Sequence, residues 1–295
     1  MAKPIARILD RYRVTDGKKF RLSRIKPSDT AGLEDDLKDE AKELLADGTK
    51  RLYDLQARLY AEDRWAVLLI FQAMDAAGKD GTIKHVLSGL DPTGSIVTSF
   101  KKPSPEELDH DFMWRCAKAL PERGRIGIFN RSYYEETLIV RVHPEILTGQ
   151  QLPPRLVTKR IWKERFEDMR NFERYLSRNG VLVLKFFLHL SKKEQKRRFL
   201  ERLDRPEKNW KFSLADAEER AFWKQYQAAY EDAIRNTATP HAPWYVVPAD
   251  NKWFTRLVVA EAIIEGMKQV KSDFPKLDDS KMRELRKAKA ALMRE

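Results

Sequence analysis

The segment FQAMDAAGKDGTIKHV, residues 71–86, joins small residues, a lysine and carboxylates where an apolar strand should turn into a helix. Its spacing approaches the pattern G-x-x-x-x-G-K-[ST], in which backbone amides and a helix N-terminus surround a phosphate. Ala73 replaces the first glycine, and Asp80 replaces the usual serine or threonine. The segment predicts a phosphate-binding loop, and the alternative is an ordinary strand-to-helix turn capped by Asp75 or Gly78.

Two side chains of this loop carry the predicted chemistry. Lys79 is placed to bridge phosphate oxygens. Asp75 puts a carboxylate where phosphates would lie, which is unfavourable unless it holds a metal ion or a proton. We therefore interpret Asp75 as a Mg²⁺ ligand or a base. The residues expected to contact phosphate are Ala76, Ala77, Gly78, Lys79, Asp80, Gly81 and Thr82.

A second candidate element is IGIFNRSYYEE, residues 126–136, where an apolar strand ends in polar residues. Phosphoryl-transfer enzymes normally carry a metal-orienting aspartate at such a strand end. Here the residue is Asn130, which can contact a metal-bound water but has no charge. Arg131 can hold phosphate oxygens through two hydrogen bonds. The alternative is a surface arginine beside a helix capped by Ser132.

A third candidate element is a basic stretch, residues 191–211, which contains nine Lys or Arg residues and only four acidic residues. Arg198, Arg202 and Arg205 lie three or four residues apart and can share one helix face. Pro206 then breaks the helix. The stretch predicts a mobile cationic lid over a phosphate site, and the alternative is an ordinary solvated helix face.

The elements that must position these residues alternate between strands and helices. Strands are expected at 66–72, 96–100, 126–130, 181–188 and 245–249, with short ones in YRV and KFRL of the N-terminal arm; helices are expected at about 31–63, 79–90, 105–120, 155–178, 191–203, 214–236, 253–271 and 279–294. Short apolar strands in this order predict a single α/β domain with a parallel sheet between helices. Such sheets bind ligands at the carboxyl ends of their strands.

The charge balance narrows the class of partner. The 295 residues include 57 Lys and Arg against 45 Asp and Glu, a net charge of +12. This charge suits a polyanion, which can be nucleic acid, an anionic membrane surface or a chain of phosphates. The single cysteine, Cys116, excludes an internal disulfide and a zinc site built on several thiolates, as is usual in the cytoplasm. No signal peptide or membrane-spanning segment is expected.

Five strings in order resemble the polyphosphate kinase family 2 from about residue 10 to 270: QAMDAAGKDGTIKHV, SFKKPSPEELDHDFMWR, LPERGRIGIFNRSYYEE, FERYLSRNGVLVLKFFLHLSKKEQKRRFLERLDRPEKNWKFS and APWYVVPADNKWFTR. The resemblance implies a P-loop-kinase-like parallel sheet sandwiched by helices, with a helical lid at about 191–225. It also implies reversible, Mg²⁺-dependent transfer of the terminal phosphoryl group between inorganic polyphosphate and a nucleoside mono- or diphosphate.

By position in these strings, the resemblance implies catalytic roles for Asp75, Lys79 and Arg131. Asp75 would be a metal ligand or a nucleotide-activating group. The string Asn-Arg-Ser-x-Tyr-Glu resembles that of a subgroup whose members accept AMP as well as ADP. Because Asn130 has no charge, the second metal ligand stays open, and Glu135 is the alternative residue for that role. The lid cations implied as polyphosphate contacts are Arg202, Arg205, Lys208 and Lys211. The implied acceptors are adenine nucleotides, with guanine nucleotides left open as an alternative. The implied assembly is a homo-dimer or tetramer in the cytoplasm.

The acceptor nucleotide is expected beyond the second and third strands of the sheet. Lys101, Lys102 and Arg115 are placed to bind its phosphate, and Tyr133 or Tyr134 can border its base, with purely structural roles as the alternative. An ATP-dependent nucleoside monophosphate kinase would share this core and lid. A nucleic-acid-binding protein would explain the charge but not a carboxylate inside a phosphate loop. We expect no nucleic-acid and no membrane partner.

Overall fold

The computed structural model describes residues 8–33, 38–210 and 212–294. Its strands are Arg13–Val14 (β1), Ala66–Ala73 (β2), Ser95–Ser99 (β3), Ile126–Asn130 (β4), Val181–His189 (β5) and Trp244–Pro248 (β6). Within the described ranges these form a six-stranded sheet in the order β1-β6-β5-β2-β4-β3. All neighbouring strands run parallel except β1, which is antiparallel to β6.

Helices of very different length connect the strands. The α-helices are Lys38–Glu62 (α1), Lys79–Val86 (α2), Pro105–Leu108 (α3), Trp114–Lys118 (α4), Ile139–Val142 (α5), Glu145–Thr148 (α6), Ile161–Arg178 (α7), Lys192–Leu203 (α8), Pro206–Asn209 (α9), Leu214–Glu218 (α10), Trp223–Thr237 (α11), Lys252–Val270 (α12) and Asp279–Leu292 (α13). Short 3-10 helices occupy Leu9–Arg11, Leu22–Arg24, Pro92–Gly94, Tyr133–Thr137, Pro154–Leu156 and Glu219–Phe222.

The central strand β2 is buried over its whole length because both faces of the sheet are covered. Leu69 lies beside Ile128 of β4 and Leu184 of β5, and these side chains pack against α1, α2 and α12. Leu68 lies beside Val183 and packs on the opposite face, against α7 and α11. The sheet therefore lies between two helical layers, which confirms the predicted α/β class.

One predicted strand is wrong. The segment KFRL does not pair with the sheet; its end forms the 3-10 helix Leu22–Arg24. The amide of Leu22 donates instead to the carboxylate of Glu231, at 2.8 Å. A partner 209 residues away along the chain thus decides this local conformation.

Two predicted helices are interrupted. The segment 105–120 forms α3 and α4, because Ser104 and Glu107 make a capping box at the first and Asp111 accepts the amide of Met113 before the second. The segment 214–236 is divided into α10, a 3-10 turn and α11. The basic C-terminal tail is helical as predicted, and the described side chains of α13 are exposed. None of the helices in the described part of the chain could span a lipid bilayer.

Candidate active site at the carboxyl end of the sheet

The loop between β2 and α2 has the backbone of an anion-binding turn. Ala76 and Gly78 both adopt left-handed conformations, with φ of +61° and +98°. Gly78 is the N-cap of α2 and has no side chain to occupy the first-turn amides, which lack partners inside any helix. The amide of Ala77 donates to the carbonyl of Met74 at 3.2 Å and closes the turn. This geometry favours the phosphate-binding loop over the capped turn.

Lys79 follows this turn at the start of α2. Its Nζ donates to the carbonyl oxygen of Ala73 at 3.2 Å, so the side chain folds back over the loop. The pKa of Lys79 is lowered, first by its removal from water and second by the nearby charge of Arg131. The carboxylates of Asp75, Glu135 and Asp80 oppose this shift only in part, and a bound phosphate would add further negative charge beside the ammonium.

Arg131 lies across the loop from Lys79, at the end of β4. It too has a left-handed backbone, with φ of +67°, and its amide donates to the carbonyl of Phe71 at 3.0 Å. Its Nη2 lies 3.4 Å from Oδ1 of Asp75. Burial alone would lower the pKa of Arg131, but the carboxylates of Glu135 and Asp75 outweigh it and raise that pKa. The loop and the end of β4 therefore share one charged site.

Glu135 is held by a residue that the sequence analysis did not identify. Gln72, buried at the end of β2, donates from Nε2 to Oε1 of Glu135 at 2.9 Å. The other carboxamide atom, Oε1 of Gln72, is buried and has no hydrogen-bond partner among the described residues. The only sequence signal was a polar residue ending an apolar strand. Gln72 thus fixes the carboxylate that we named as a substitute metal ligand.

Asp80 and Asn130 also meet, which the separate motifs did not indicate. Nδ2 of Asn130 donates to Oδ1 of Asp80 at 2.7 Å. In the usual site the strand end supplies the carboxylate and the helix supplies a hydroxyl. Here the carboxylate comes from the first turn of α2 and the uncharged partner from the end of β4.

A small cavity of about 50 Å³ opens beside these groups. Asp75, Arg131 and Glu135 line it from the sheet side, and Asp216 lines it from α10. The pKa of Asp216 is raised, first by burial and then by the charge of Asp75. The segment that follows the basic stretch therefore lines the same cavity as the phosphate loop.

Two of the predicted lid cations form ion pairs with acids of the same stretch, and a third lies over an aromatic ring. Arg205 contacts Glu207 at 2.7 Å, Lys208 contacts Glu201 at 2.6 Å, and Arg202 lies over the ring of Phe199. Exposed pairs of this kind contribute little to stability, so the cations can exchange these partners for phosphate. Lys211 lies outside the described residues.

Arg198 does not join these cations, although its spacing grouped it with them. It is 4% exposed and points into the body of the protein. Arg202 is only partly buried, and Arg205, which follows the end of α8, is exposed.

The candidate acceptor residues separate into exposed and buried groups. Lys101 and Lys102 are exposed just after β3. Arg115 is buried; it donates to the carbonyl of Lys101 at 2.8 Å and lies 3.8 Å from Glu136. The role of Tyr134 beside a base is wrong, because its side chain is 0% exposed.

Tyr134 belongs instead to a buried ionic network. Its hydroxyl donates to Oε1 of Glu173 at 2.7 Å, as does that of Tyr133 at 2.9 Å. Lys185 of β5 contacts Glu173 at 2.6 Å, and both side chains are fully buried. The network ties the segment after Arg131 to the sheet.

Removing one charge from this network should destabilise the folded protein. We expect Lys185→Met to lower the free energy of unfolding by about 3–5 kcal/mol, because Glu173 would remain as an uncompensated buried charge. Urea denaturation measures this loss. The double variant Lys185→Met/Glu173→Gln should recover much of it; equal stability of the wild type and Lys185→Met would contradict a charged pair.

Comparisons with known proteins give the family. A model of the family described as Polyphosphate kinase 2 matches residues 35–275. The chain is 54% identical over 258 residues to an ADP-polyphosphate phosphotransferase of Rhodopseudomonas palustris, covering 87% of this chain and 89% of the relative. It is 44% identical over 267 residues to an AMP/ADP-polyphosphate phosphotransferase of Meiothermus ruber, covering 90% and 96%.

A solved structure agrees with the fold. The crystal structure of polyphosphate kinase 2 from Arthrobacter aurescens TC1 superposes with a TM-score of 0.83 and 39% identity, covering 92% of this chain and 94% of that chain. The matched region spans the loop of Lys79, the end of β4 and the lid. The fold, the phosphate loop and these similarities agree: the chain belongs to the polyphosphate kinase 2 family.

Proposed function

We propose that this chain transfers the terminal phosphoryl group between inorganic polyphosphate and an adenine nucleotide, in both directions, converting ADP to ATP and AMP to ADP. The observation that carries the proposal is the phosphate loop with Lys79 facing the Asp75–Arg131 pair beneath a cationic lid. The names of relatives that use polyphosphate with ADP, or with AMP and ADP, support it. They favour it over an ATP-dependent nucleoside monophosphate kinase.

The protein groups would act mainly by neutralising charge. Polyphosphate and a nucleotide are both anions, and in-line transfer requires their phosphates to meet. Lys79, Arg131 and the free amides of the loop would hold the oxygens of the transferred group as its charge develops. Because these donors are fixed by the fold before the ligand arrives, little reorganisation is needed during transfer.

We assign Mg²⁺ as the metal ion. Mg²⁺ is commonly bound by one or two carboxylates together with substrate phosphates and waters. Asp75, partly exposed at the loop, fits this demand, with Glu135 as a second ligand and Asn130 acting through a water. No group of three or more His, Cys, Asp or Glu side chains in the described ranges could hold a metal alone, so phosphate oxygens would complete the site. When bound, the ion would neutralise charge on the transferred group.

The two substrates would approach from different sides. Arg202, Arg205 and Lys208 would contact the polyphosphate chain from the lid, and Lys211 is proposed with them from its sequence position. Lys101 and Lys102 would bind the acceptor phosphate, with Arg115 holding the backbone that carries Lys101. The homo-oligomer, the cytoplasmic location, the use of guanine nucleotides and the absence of nucleic-acid and membrane partners stay predictions.

One assay tests the activity. Purified protein is incubated with long-chain polyphosphate and Mg²⁺ and with AMP, ADP or GDP separately, and the products are separated by chromatography. We expect ATP from ADP, and ADP then ATP from AMP, only when polyphosphate and metal are both present. Product formed from AMP and ATP without polyphosphate would support the rival kinase. No product from folded protein would reject the proposal.

A lid cation should affect donor affinity rather than turnover. We expect Lys208→Ala to raise the KM for polyphosphate about two- to fivefold, the size of one exposed ion contact, and to reduce its salt dependence. Initial rates at several salt concentrations measure both. Lys281→Ala, in exposed α13, is the matched control. An unchanged KM at every salt concentration would remove Lys208 from the donor path.

A further inference from the structure

Two side chains of α8 donate hydrogen bonds to the outward carbonyls of the phosphate loop. Nε2 of Gln195 donates to the carbonyl of Asp75 at 3.0 Å. Nη1 of Arg198 donates to the carbonyls of Ala76 at 3.1 Å and Ala77 at 2.9 Å. Three consecutive loop carbonyls are therefore bonded to one helix face, because residues three apart on a helix are neighbours.

These bonds also fix the direction of the loop amides. A peptide unit is planar and trans, so its N–H points opposite to its C=O. Holding the carbonyls of Asp75, Ala76 and Ala77 toward α8 therefore turns the amides of the next residues away from it. Of these amides, that of Ala77 closes the turn with Met74. The same peptide geometry directs the amides of Ala76 and Gly78 away from α8.

Every N–H donor of the Arg198 guanidinium has a hydrogen-bond partner within the protein. Nη1 bonds the two loop carbonyls, and Nη2 donates to the carbonyls of Ala249 at 2.6 Å and Asp250 at 3.0 Å. Nε donates to Glu194 at 2.8 Å. These contacts use all five N–H donors of a guanidinium. Arg198 thus has no donor left for polyphosphate, despite its place in the basic stretch.

Gln195 is in turn oriented by the lid. Its Oε1 accepts from Nη1 of Arg220 at 2.7 Å, and Arg220 lies in the 3-10 helix Glu219–Phe222. Because the oxygen of the carboxamide faces Arg220, its nitrogen must face the carbonyl of Asp75. A contact made by the lid thereby sets which atom of Gln195 meets the loop.

We infer that Gln195 and Arg198 are positioning residues: they hold the phosphate loop with its carbonyls toward α8 and its free amides toward the phosphate. The kinetic side of this inference rests on the proposed phosphotransfer. It differs from a direct role, in which either residue would bind polyphosphate, and from a purely structural role, in which it would stabilise the fold without affecting the loop.

The main test uses Gln195→Met, which keeps the length of the side chain but removes both the donor to Asp75 and the acceptor for Arg220. We expect kcat to fall about ten- to hundredfold, the size of a small misplacement of catalytic groups, while the KM for polyphosphate stays within about twofold. Leu200→Gln, exposed on the same helix, is the matched control and should retain wild-type kcat.

Arg198→Lys separates charge from geometry. Lysine keeps the positive charge but cannot bond both pairs of carbonyls at once. We expect kcat of this variant to fall as in Gln195→Met. Wild-type kcat in a folded Arg198→Lys protein would show that charge alone suffices and would overturn the inference for Arg198.

A second readout does not depend on activity. Hydrogen–deuterium exchange of a peptide spanning residues 72–82 reports the bond from the amide of Ala77 to Met74. We expect faster exchange in Gln195→Met and unchanged exchange in Leu200→Gln.

The outcomes separate the two proposals. Faster loop exchange in Gln195→Met together with an inactive wild-type protein would reject the phosphotransfer and leave the loop-holding role. An active wild type with unchanged kcat in Gln195→Met would overturn the inference, whatever the exchange shows. A raised KM for polyphosphate with normal kcat would also overturn it, since that result indicates direct contact.

Discussion

Replacing Lys79 with methionine should lower kcat for phosphotransfer about 10²- to 10³-fold, the loss typical when one transition-state donor is removed. Methionine keeps the length and apolar stem of lysine but removes the ammonium. The lowered pKa of Lys79 shows that the unliganded site disfavours its charge, so the ammonium gains most when phosphate oxygens arrive. The effect should therefore appear in turnover rather than only in binding.

Steady-state rates with saturating polyphosphate and ADP measure this loss. Lys84→Met is the matched control, because Lys84 lies on the same helix and is exposed. Its kcat should equal that of the wild type, and both variants should keep the wild-type unfolding temperature within a few degrees. A kcat near the wild-type value in folded Lys79→Met would remove this lysine from the transition state.

The sheet and the loop could be predicted because their signals are local. The parallel strands β2, β4, β5 and β6 are short apolar runs that are largely buried, whereas the edge strand β3 is mostly exposed. The expected limits of all five differ by at most about one residue from the structure. The loop couples small residues to a lysine at a strand-to-helix turn, and its left-handed positions fall at Ala76 and Gly78. A left-handed alanine shows that the loop does not require a glycine at that position.

What could not be predicted depends on packing between distant segments. Periodicity puts Arg198 on one face with Arg202, but only the position of α8 against the loop decides which side chain enters the body. Tyr134 follows a strand end, as a base-binding residue would, yet its hydroxyl is used by Glu173 of α7. Both corrections arise from contacts that no local pattern contains.

One missed feature did leave a signal. Lys185 interrupts the apolar run VLVLKFFL, and a lysine within a buried strand needs an acidic or carbonyl partner. Its partners are Glu173 and the carbonyl of Thr237. The lone charge could therefore have indicated a buried ionic network, although not which glutamate completes it.

Asp75→Asn should also lower kcat about 10²- to 10³-fold, because it removes the one loop carboxylate that faces Arg131 while keeping the size of the side chain. Asp54→Asn, on the exposed side of α1, is the matched control and should retain wild-type kcat. Wild-type turnover in folded Asp75→Asn would exclude both roles that we predicted for this residue, metal ligand and nucleotide-activating group.

Metal titrations distinguish these two roles. If Asp75 binds the ion, the Mg²⁺ concentration for half-maximal rate should rise in Asp75→Asn, and Mn²⁺ followed by electron paramagnetic resonance with ADP present should bind more weakly. If Asp75 activates the nucleotide instead, metal binding should be unchanged and only the rate should fall. We expect the first result, because Asp75 and Glu135 line one cavity beside the phosphate loop, and carboxylates beside bound phosphates are the ligands that Mg²⁺ commonly takes.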